Sequence, residues 1–300
     1  MTIGGGSGSA VVLNGLKQHD HELTAIVSMF DSGGSTGILR KEFGYPPFGD
    51  IRQCILALAP ESDRTDILRN AFDFRFNSRS SLRGHSVGNL MLAALTSALE
   101  NNVEEAISEL GRLLDISGAV VPVTVEDAHL CAELMDGQIV RSENEINTRT
   151  NGNPGIKRVF LSKPVQANPV ALKAIAEAEV VIMGPGDLYT SVVPNFLAIG
   201  IGETLAKTEA RLIYACNVMT KRGETDTYKA SDFLGVVQQY LSGRVIDNVI
   251  VNVEPVPSDV LELYRHEGAE PVRVDRQALT KYTHCLIERP LLDLGPPVRH

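Results

Sequence analysis

Tryptophan is absent from the 300-residue chain, and aromatic residues together make up only 5% of it, which leaves little material for a platform under a large planar cofactor. An excess of basic residues is absent too. Lys and Arg number 28 against 37 Asp and Glu, giving a net charge of −9 with no basic stripe or tail to offset it, so nucleic acid is excluded as a partner. No apolar run approaches the roughly 20 residues of a membrane helix. Residues 180–183 and 196–201 are typical of the longest. The opening Met1-Thr2-Ile3 has neither a basic n-region nor an apolar h-region, and so does not read as a secretory signal. Finally there is no C-x-x-C. Cys54, Cys131, Cys216 and Cys285 lie far apart in mostly apolar surroundings and are expected to be reduced core thiols of a cytoplasmic protein, not disulfides or metal ligands.

What remains is an ordinary soluble composition, 43% apolar and 22% charged, which sets disorder aside. The length suits one large α/β domain or a core carrying an insertion. Short β-branched runs at residues 24–30, 119–124, 180–183, 211–216 and 248–253 read as strands. Helical patterns fill residues 9–18, 51–58, 85–99, 103–114, 169–177, 194–207 and 231–241. This alternation predicts a single Rossmann-like α/β domain over 1–300, a three-layer sandwich with a mostly parallel sheet and helices on both faces. Residues 129–141 break the rhythm. They hold two short alternating runs joined by Asp136-Gly137, a hairpin turn, and a further run follows at 158–161. A small antiparallel insertion is therefore expected over about 126–164.

Glycines and hydroxyls gather where strands end. Gly4-Gly5-Gly6-Ser7-Gly8 follows a three-residue strand fragment, short enough to leave a truncated start open, and opens a helix. Such a loop allows close backbone approach and presents free N–H groups, so a phosphate cradle is expected, with a ligand-free tight turn as the alternative. The dinucleotide fingerprint is missing: counted from Gly4 its last glycine position holds Ser9, and counted from Gly6 it holds Val11. No Gly-Lys-Ser/Thr follows, which excludes a P-loop.

Asp31-Ser32-Gly33-Gly34-Ser35-Thr36-Gly37 comes directly after the second strand. Two N–H-rich loops at adjacent strand ends suit a diphosphate, or a phosphate with a metal; a bland surface loop is the alternative. Asp50 stands at a helix start, either as a cap or as a metal or substrate carboxylate facing Asp31. Gly84-His85-Ser86-Val87-Gly88 matches G-x-S-x-G, but a nucleophile elbow needs an apolar strand before it, and residues 74–83 are basic and serine-rich. A helix N-terminus is the better reading, with His85 and Asn89 on one face beside the anion pocket; a purely structural helix start is the alternative. Two more such turns follow strands: one runs from Gly184 through Gly186, Asp187, Tyr189 and Thr190, the other from Asn217 through Thr220. In open α/β sheets, ligands bind outside the strand carboxyl ends.

In this order the loops resemble the CofD/YvcK family, over essentially the whole chain. Its YvcK branch has motifs like I-G-G-G-T-G, D-D-G-G-S-S-G, P-P-G-D-I-R, G-H-S-x-G-N, G-P-G-S-L-Y-T-S-x-x-P-N and N-V-M-T-x-x-G-E-T. Here they correspond to residues 3–8, 31–37, 46–52, 84–89, 184–195 and 217–225. Ser7 stands for Thr, Ser32 for the second Asp of a carboxylate pair and Asp187 for Ser, while Phe48 interrupts P-P-G-D. These departures suggest that the carboxylates have been redistributed.

For the YvcK branch the resemblance implies binding of a nucleotide diphosphate sugar of the UDP-N-acetylglucosamine class, with regulation of carbon flux, cell-wall precursor supply and cell shape. For the CofD branch it implies transfer of a phospholactyl or phosphoenolpyruvyl group from a guanosine-diphosphate donor to a deazaflavin, with Mg²⁺. It implies ligand contacts from Gly5, Gly6, Ser7, Gly8, Gly33, Gly34, Ser35, Asn89, Gly184, Gly186, Asp187, Tyr189, Thr190, Asn217 and Thr220. Tyr264 would stack on the base and Arg299 pair with a phosphate; a packed aromatic and a solvated terminal charge are the alternatives. The family usually continues where this chain stops, so that wall is expected to be incomplete. Mg²⁺ would sit on Asp31 and Asp50, and catalysis, if any, would use Asp31, Asp50 and His85. No tightly bound organic cofactor is expected, homo-oligomerisation stays open, and a nicotinamide dehydrogenase ranks third. Gly6→Val is expected to block binding at little cost in stability.

Overall fold

The computed structural model describes residues 1–77, 82–150 and 154–292. Its strands are β1 (Thr2–Gly4), β2 (Thr24–Val27), β3 (Ala119–Pro122), β4 (Leu130–Leu134), β5 (Ile139–Val140), β6 (Ile156–Leu161), β7 (Val180–Met183), β8 (Arg211–Ala215), β9 (Ile246–Asn252) and β10 (Thr283–Arg289). Its helices are α1 (Gly6–Leu16), α2 (Gly34–Phe43), α3 (Gly49–Leu58), α4 (Asp63–Asp73), α5 (Val87–Ala98), α6 (Val103–Leu113), α7 (Glu143–Asn147), α8 (Pro169–Glu177), α9 (Ile201–Lys207), α10 (Ala230–Gln238), α11 (Ser258–His266) and α12 (Arg276–Leu279).

Seven strands form one parallel sheet in the order β10-β9-β8-β7-β1-β2-β3. The central strands are runs of Ile, Val and Met, as burial on both faces requires. Ile3, Ile26, Val27, Val181, Met183 and Leu212 are all buried. The chain starts at β1, builds outward to β3, then returns to β7 on the other side of β1 and builds outward again. The direction of winding therefore reverses between β1 and β7. In doubly wound sheets that reversal opens the crevice in which ligands are held.

The hairpin at Asp136-Gly137 is present, with Gly137 at φ 86°. It joins β4 to β5, and β4 also pairs with β6 in a separate three-stranded antiparallel sheet. Three expectations need correction. Residues 194–207 do not form one helix. A π-helical turn at Leu188–Val192 and a 3-10 turn at Val193–Leu197 lead to Gly200 at φ 104°, and only then does α9 begin. Pro194 fits a first turn and not a helix interior. Residues 31–37 are not all loop, because α2 starts at Gly34 and ends at Gly44, which takes φ 74°. Cys285 is exposed rather than a core thiol, since β10 is the edge of the sheet; all four cysteines are free.

Candidate functional site

The turn after β1 and the turn after β7 meet at the crevice. A Cβ on Gly8 would lie 1.8 Å from the Pro185 carbonyl oxygen, so α1 can start here only because that side chain is missing. A Cβ on Gly5 would meet Ser191 at 2.7 Å, and one on Gly6 would meet Asp50 Oδ1 at 2.7 Å and Gln53 Oε1 at 2.6 Å. The glycines thus serve helix packing. A valine at Gly6 is destabilising in its own right, which corrects the expectation of a small stability cost. Ser7 is exposed and its hydroxyl donates to Gln53 Oε1 at 2.9 Å.

The Asp50 carboxylate, in the first turn of α3, lies beside the Gly6 backbone at the start of α1. Burial, and then the nearby charge of Asp31, push Asp50 up to about 7 although the Gly6 amide favours its charged form, with Asp187 adding to the effect. Helix-start amides favour an anion. Desolvation and two further carboxylates outweigh them here.

The Asp31 turn holds a second group of carboxyls. Asp31 Oδ1 accepts from the Gly33 N–H at 2.8 Å. Glu143, at the start of α7 in the insertion, accepts from the Ser32 N–H at 3.2 Å and lies near the Asp31 carboxylate. Burial first, and then Asp31, push Glu143 up to about 8. Ser32 Oγ accepts in turn from the Asn144 N–H at 3.0 Å. Where the family motif places a second Asp, this chain has a serine that docks the insertion, and Glu143 delivers the carboxyl from there. Ser142-x-x-Glu145 is a helix-start signal that marks α7 in the sequence, with Ser142 accepting from the Glu145 N–H at 3.1 Å.

His85 and Asn89 converge on Ser35. The His85 Nδ1 lies 2.9 Å from the Ser35 hydroxyl, and Asn89 Nδ2 donates to the same oxygen at 3.4 Å; all three residues are buried. Ser86 accepts from the Asn89 N–H as a helix cap, so its oxygen is a capping group and not the exposed nucleophile that an elbow requires.

The open space lies on the β7 and β8 side. A cleft of about 670 Å³ is lined by Pro185, Asp187, Asn217, Thr220, Lys221, Arg222, Tyr264 and the insertion residues Asn147 to Thr150. Tyr264 stands in α11 at 38% exposure. Asn217 Nδ2 donates to the Gly186 carbonyl at 2.9 Å, while its Oδ1 is buried with no partner among the described residues. Lys221 contacts Asp187 and lies 2.9 Å from Glu224 Oε1. Burial works against the ammonium, but Glu224 and Asp187 raise Lys221 above its usual value.

Tyr189 and Thr190 stand behind this wall, and Thr220 braces it. Tyr189 is buried, with its hydroxyl 2.8 Å from that of Tyr228. Thr190 donates to Glu224 at 3.2 Å, and Thr220 Oγ1 accepts from the Glu270 N–H at 2.9 Å. All three therefore pack or brace. Gly184 takes φ 72° where the turn leaves β7. Arg299 lies outside the described residues. Among the described residues, no three His, Cys, Asp or Glu side chains form a metal-holding group.

The profile of the 2-phospho-L-lactate transferase CofD family matches residues 1–292. The chain belongs to this family. Within it, the chain is 42% identical over 281 residues to the gluconeogenesis factor of Halalkalibacterium halodurans, covering 93% of this chain and 85% of that one. It is 41% identical over 279 residues to the gluconeogenesis factor of Bacillus subtilis, covering 92% and 86%. The crystal structure of a UPF0052 family member from Bacillus halodurans superposes with a TM-score of 0.92 at 39% identity, covering 98% of this chain and 93% of that one. The CofD family's fold is thus the Rossmann-like sheet described above.

Proposed function

We propose that the protein binds a nucleotide diphosphate sugar of the UDP-N-acetylglucosamine class and, through that binding, regulates carbon flux, cell-wall precursor supply and cell shape in the cytoplasm. The cleft at the ends of β7 and β8 supports this reading. It combines a half-exposed aromatic, Tyr264, with Lys221, Arg149 and Arg222, in a volume of about 670 Å³ that suits a ligand of this size. Tyr264 would carry the base, and the turn from Gly184 through Asp187, with Lys221 paired to Asp187 and Asn217 in the same wall, would flank the diphosphate. The relatives named gluconeogenesis factor favour regulation over turnover.

A second reading, a CofD-like transferase, draws on Asp31, Asp50 and Glu143. Mg²⁺ commonly takes one or two carboxylates and completes its shell with water and substrate phosphates, so Asp31 and Asp50 suit it as donors. Bound there, the ion would neutralise charge developing on a leaving phosphate. Thermal-shift titration with UDP-N-acetylglucosamine, GDP and NAD, each with and without Mg²⁺, separates the readings. At a hundredfold excess over Kd, binding adds about 2.7 kcal/mol, a shift of several degrees. The first reading expects that shift with UDP-N-acetylglucosamine. Stabilisation by GDP with Mg²⁺ alone would overturn it.

A further inference from the structure

A cleft that takes a diphosphate should not be walled by carboxylates, yet Asp187 lines this one and Glu224 lies directly behind it. Between them sits one ammonium. Lys221 Nζ contacts Asp187 Oδ2, Glu224 Oε1 and, from the insertion, Asn147 Oδ1. An ammonium has three N–H donors, and each of these meets an acceptor. The Glu224 side chain is fully buried while that of Lys221 is 24% exposed, so the ammonium closes over the buried carboxylate and faces the cleft beside Asp187. Glu224 Oε2 has no partner among the described residues, which leaves Lys221 as its main source of compensating charge.

We propose that Lys221 is the residue that makes this cleft receptive to a diphosphate, by cancelling Asp187 rather than by gripping a phosphate itself. The proposal rests on the nucleotide-diphosphate reading and adds the electrostatic condition under which it holds. With both carboxylates ionised, this corner carries one net negative charge. Lys221→Met doubles it, Asp187→Asn abolishes it, and the double substitution returns it to the wild-type value. Like charges brought together in a binding site cost affinity steeply. Lys221 is thus a positioning and charge-setting residue, and its contact with Asn147 couples that role to the insertion.

The test is a double-mutant cycle on the full chain, read as Kd for UDP-N-acetylglucosamine by calorimetry. Lys221→Met should weaken binding by at least about tenfold, Asp187→Asn should tighten it several-fold, and the double variant should return to within about threefold of wild type. Raising salt should narrow the gap between Lys221→Met and wild type, because screening weakens a repulsion. A structural role for Lys221 moves neither the rescue nor the salt response. The proposal is overturned if Lys221→Met binds like wild type, or if the double variant stays as weak as Lys221→Met, which would mean direct ligand contact or a packing role. Should Lys221→Met fail to fold, Asp187→Asn decides alone: tighter binding supports the proposal and weaker binding overturns it. Wild-type protein that binds none of the probe overturns the nucleotide-sugar reading itself, and the proposal with it.

Discussion

Asp50 offers the sharpest test of the site's electrostatics. Its carboxyl is raised from 3.8 to about 7, chiefly by burial and then by Asp31. Between these two values the folded protein holds a proton that the unfolded chain has released. Stability supplied by this group is therefore greatest in acid, falls as pH rises through about 4 to 7, and is flat above. Three pKa units correspond to about 4 kcal/mol, and the residual solvent contact of the half-buried side chain reduces this to about 2–4 kcal/mol. Asp50→Asn keeps the size and an oxygen acceptor beside the Gly6 backbone and removes the titration. Urea denaturation of wild type and Asp50→Asn at pH 5, 6, 7 and 8 gives the difference directly, and carboxyls that do not interact with Asp50 cancel in it. About two of the three units fall above pH 5, so the variant should gain about 1–2.5 kcal/mol on the wild type between pH 5 and 8. A difference that does not change with pH would refute the burial and charge coupling assigned to Asp50.

Glu143 is raised to about 8, so Glu143→Gln should remove a further loss of stability that extends to about pH 8, measured by the same urea series. Gly8→Ala places a Cβ against the Pro185 carbonyl and should cost about 2–4 kcal/mol by thermal or chemical denaturation, although alanine is the better helix former. Tyr264→Ala should weaken UDP-N-acetylglucosamine binding by about 1–3 kcal/mol in calorimetry, with the melting temperature of the ligand-free protein nearly unchanged; unaltered affinity would remove Tyr264 from the site. Ser35→Ala deprives His85 and Asn89 of their shared hydroxyl and should cost about 1–2 kcal/mol.

The sheet was legible because buried parallel strands must be short β-branched runs, and residues 180–183 coincide with β7. The edge strand β10 was not legible: Thr283–Arg289 mixes polar and apolar residues because one side of it lacks a neighbour. Helix α2 was hidden by its glycine and hydroxyl opening, although Gly44 marks its end. In the site, spacing identified the turns after β1, β2, β7 and β8. It did not reveal that the Asp50 carboxylate lies against the Gly6 backbone, nor that the open cleft lies beside β7 and β8. Glu143, Lys221 and Arg149 were missed for a common reason. Glu143 and Arg149 meet the turns at Ser32 and Gly223 only once the insertion has folded over the strand carboxyl ends, and Lys221 meets Asp187 only once the turns after β7 and β8 lie side by side.

A crystal structure of the full chain grown with UDP-N-acetylglucosamine tests the central claim most directly. The diphosphate should appear in the cleft beside the turn at Gly186 and Asp187, where Asp187 is paired with Lys221, with uracil against Tyr264. A nucleotide seated instead in the 360 Å³ cavity lined by Tyr45, Thr96 and Asp127, with the β7 and β8 cleft empty, would contradict it.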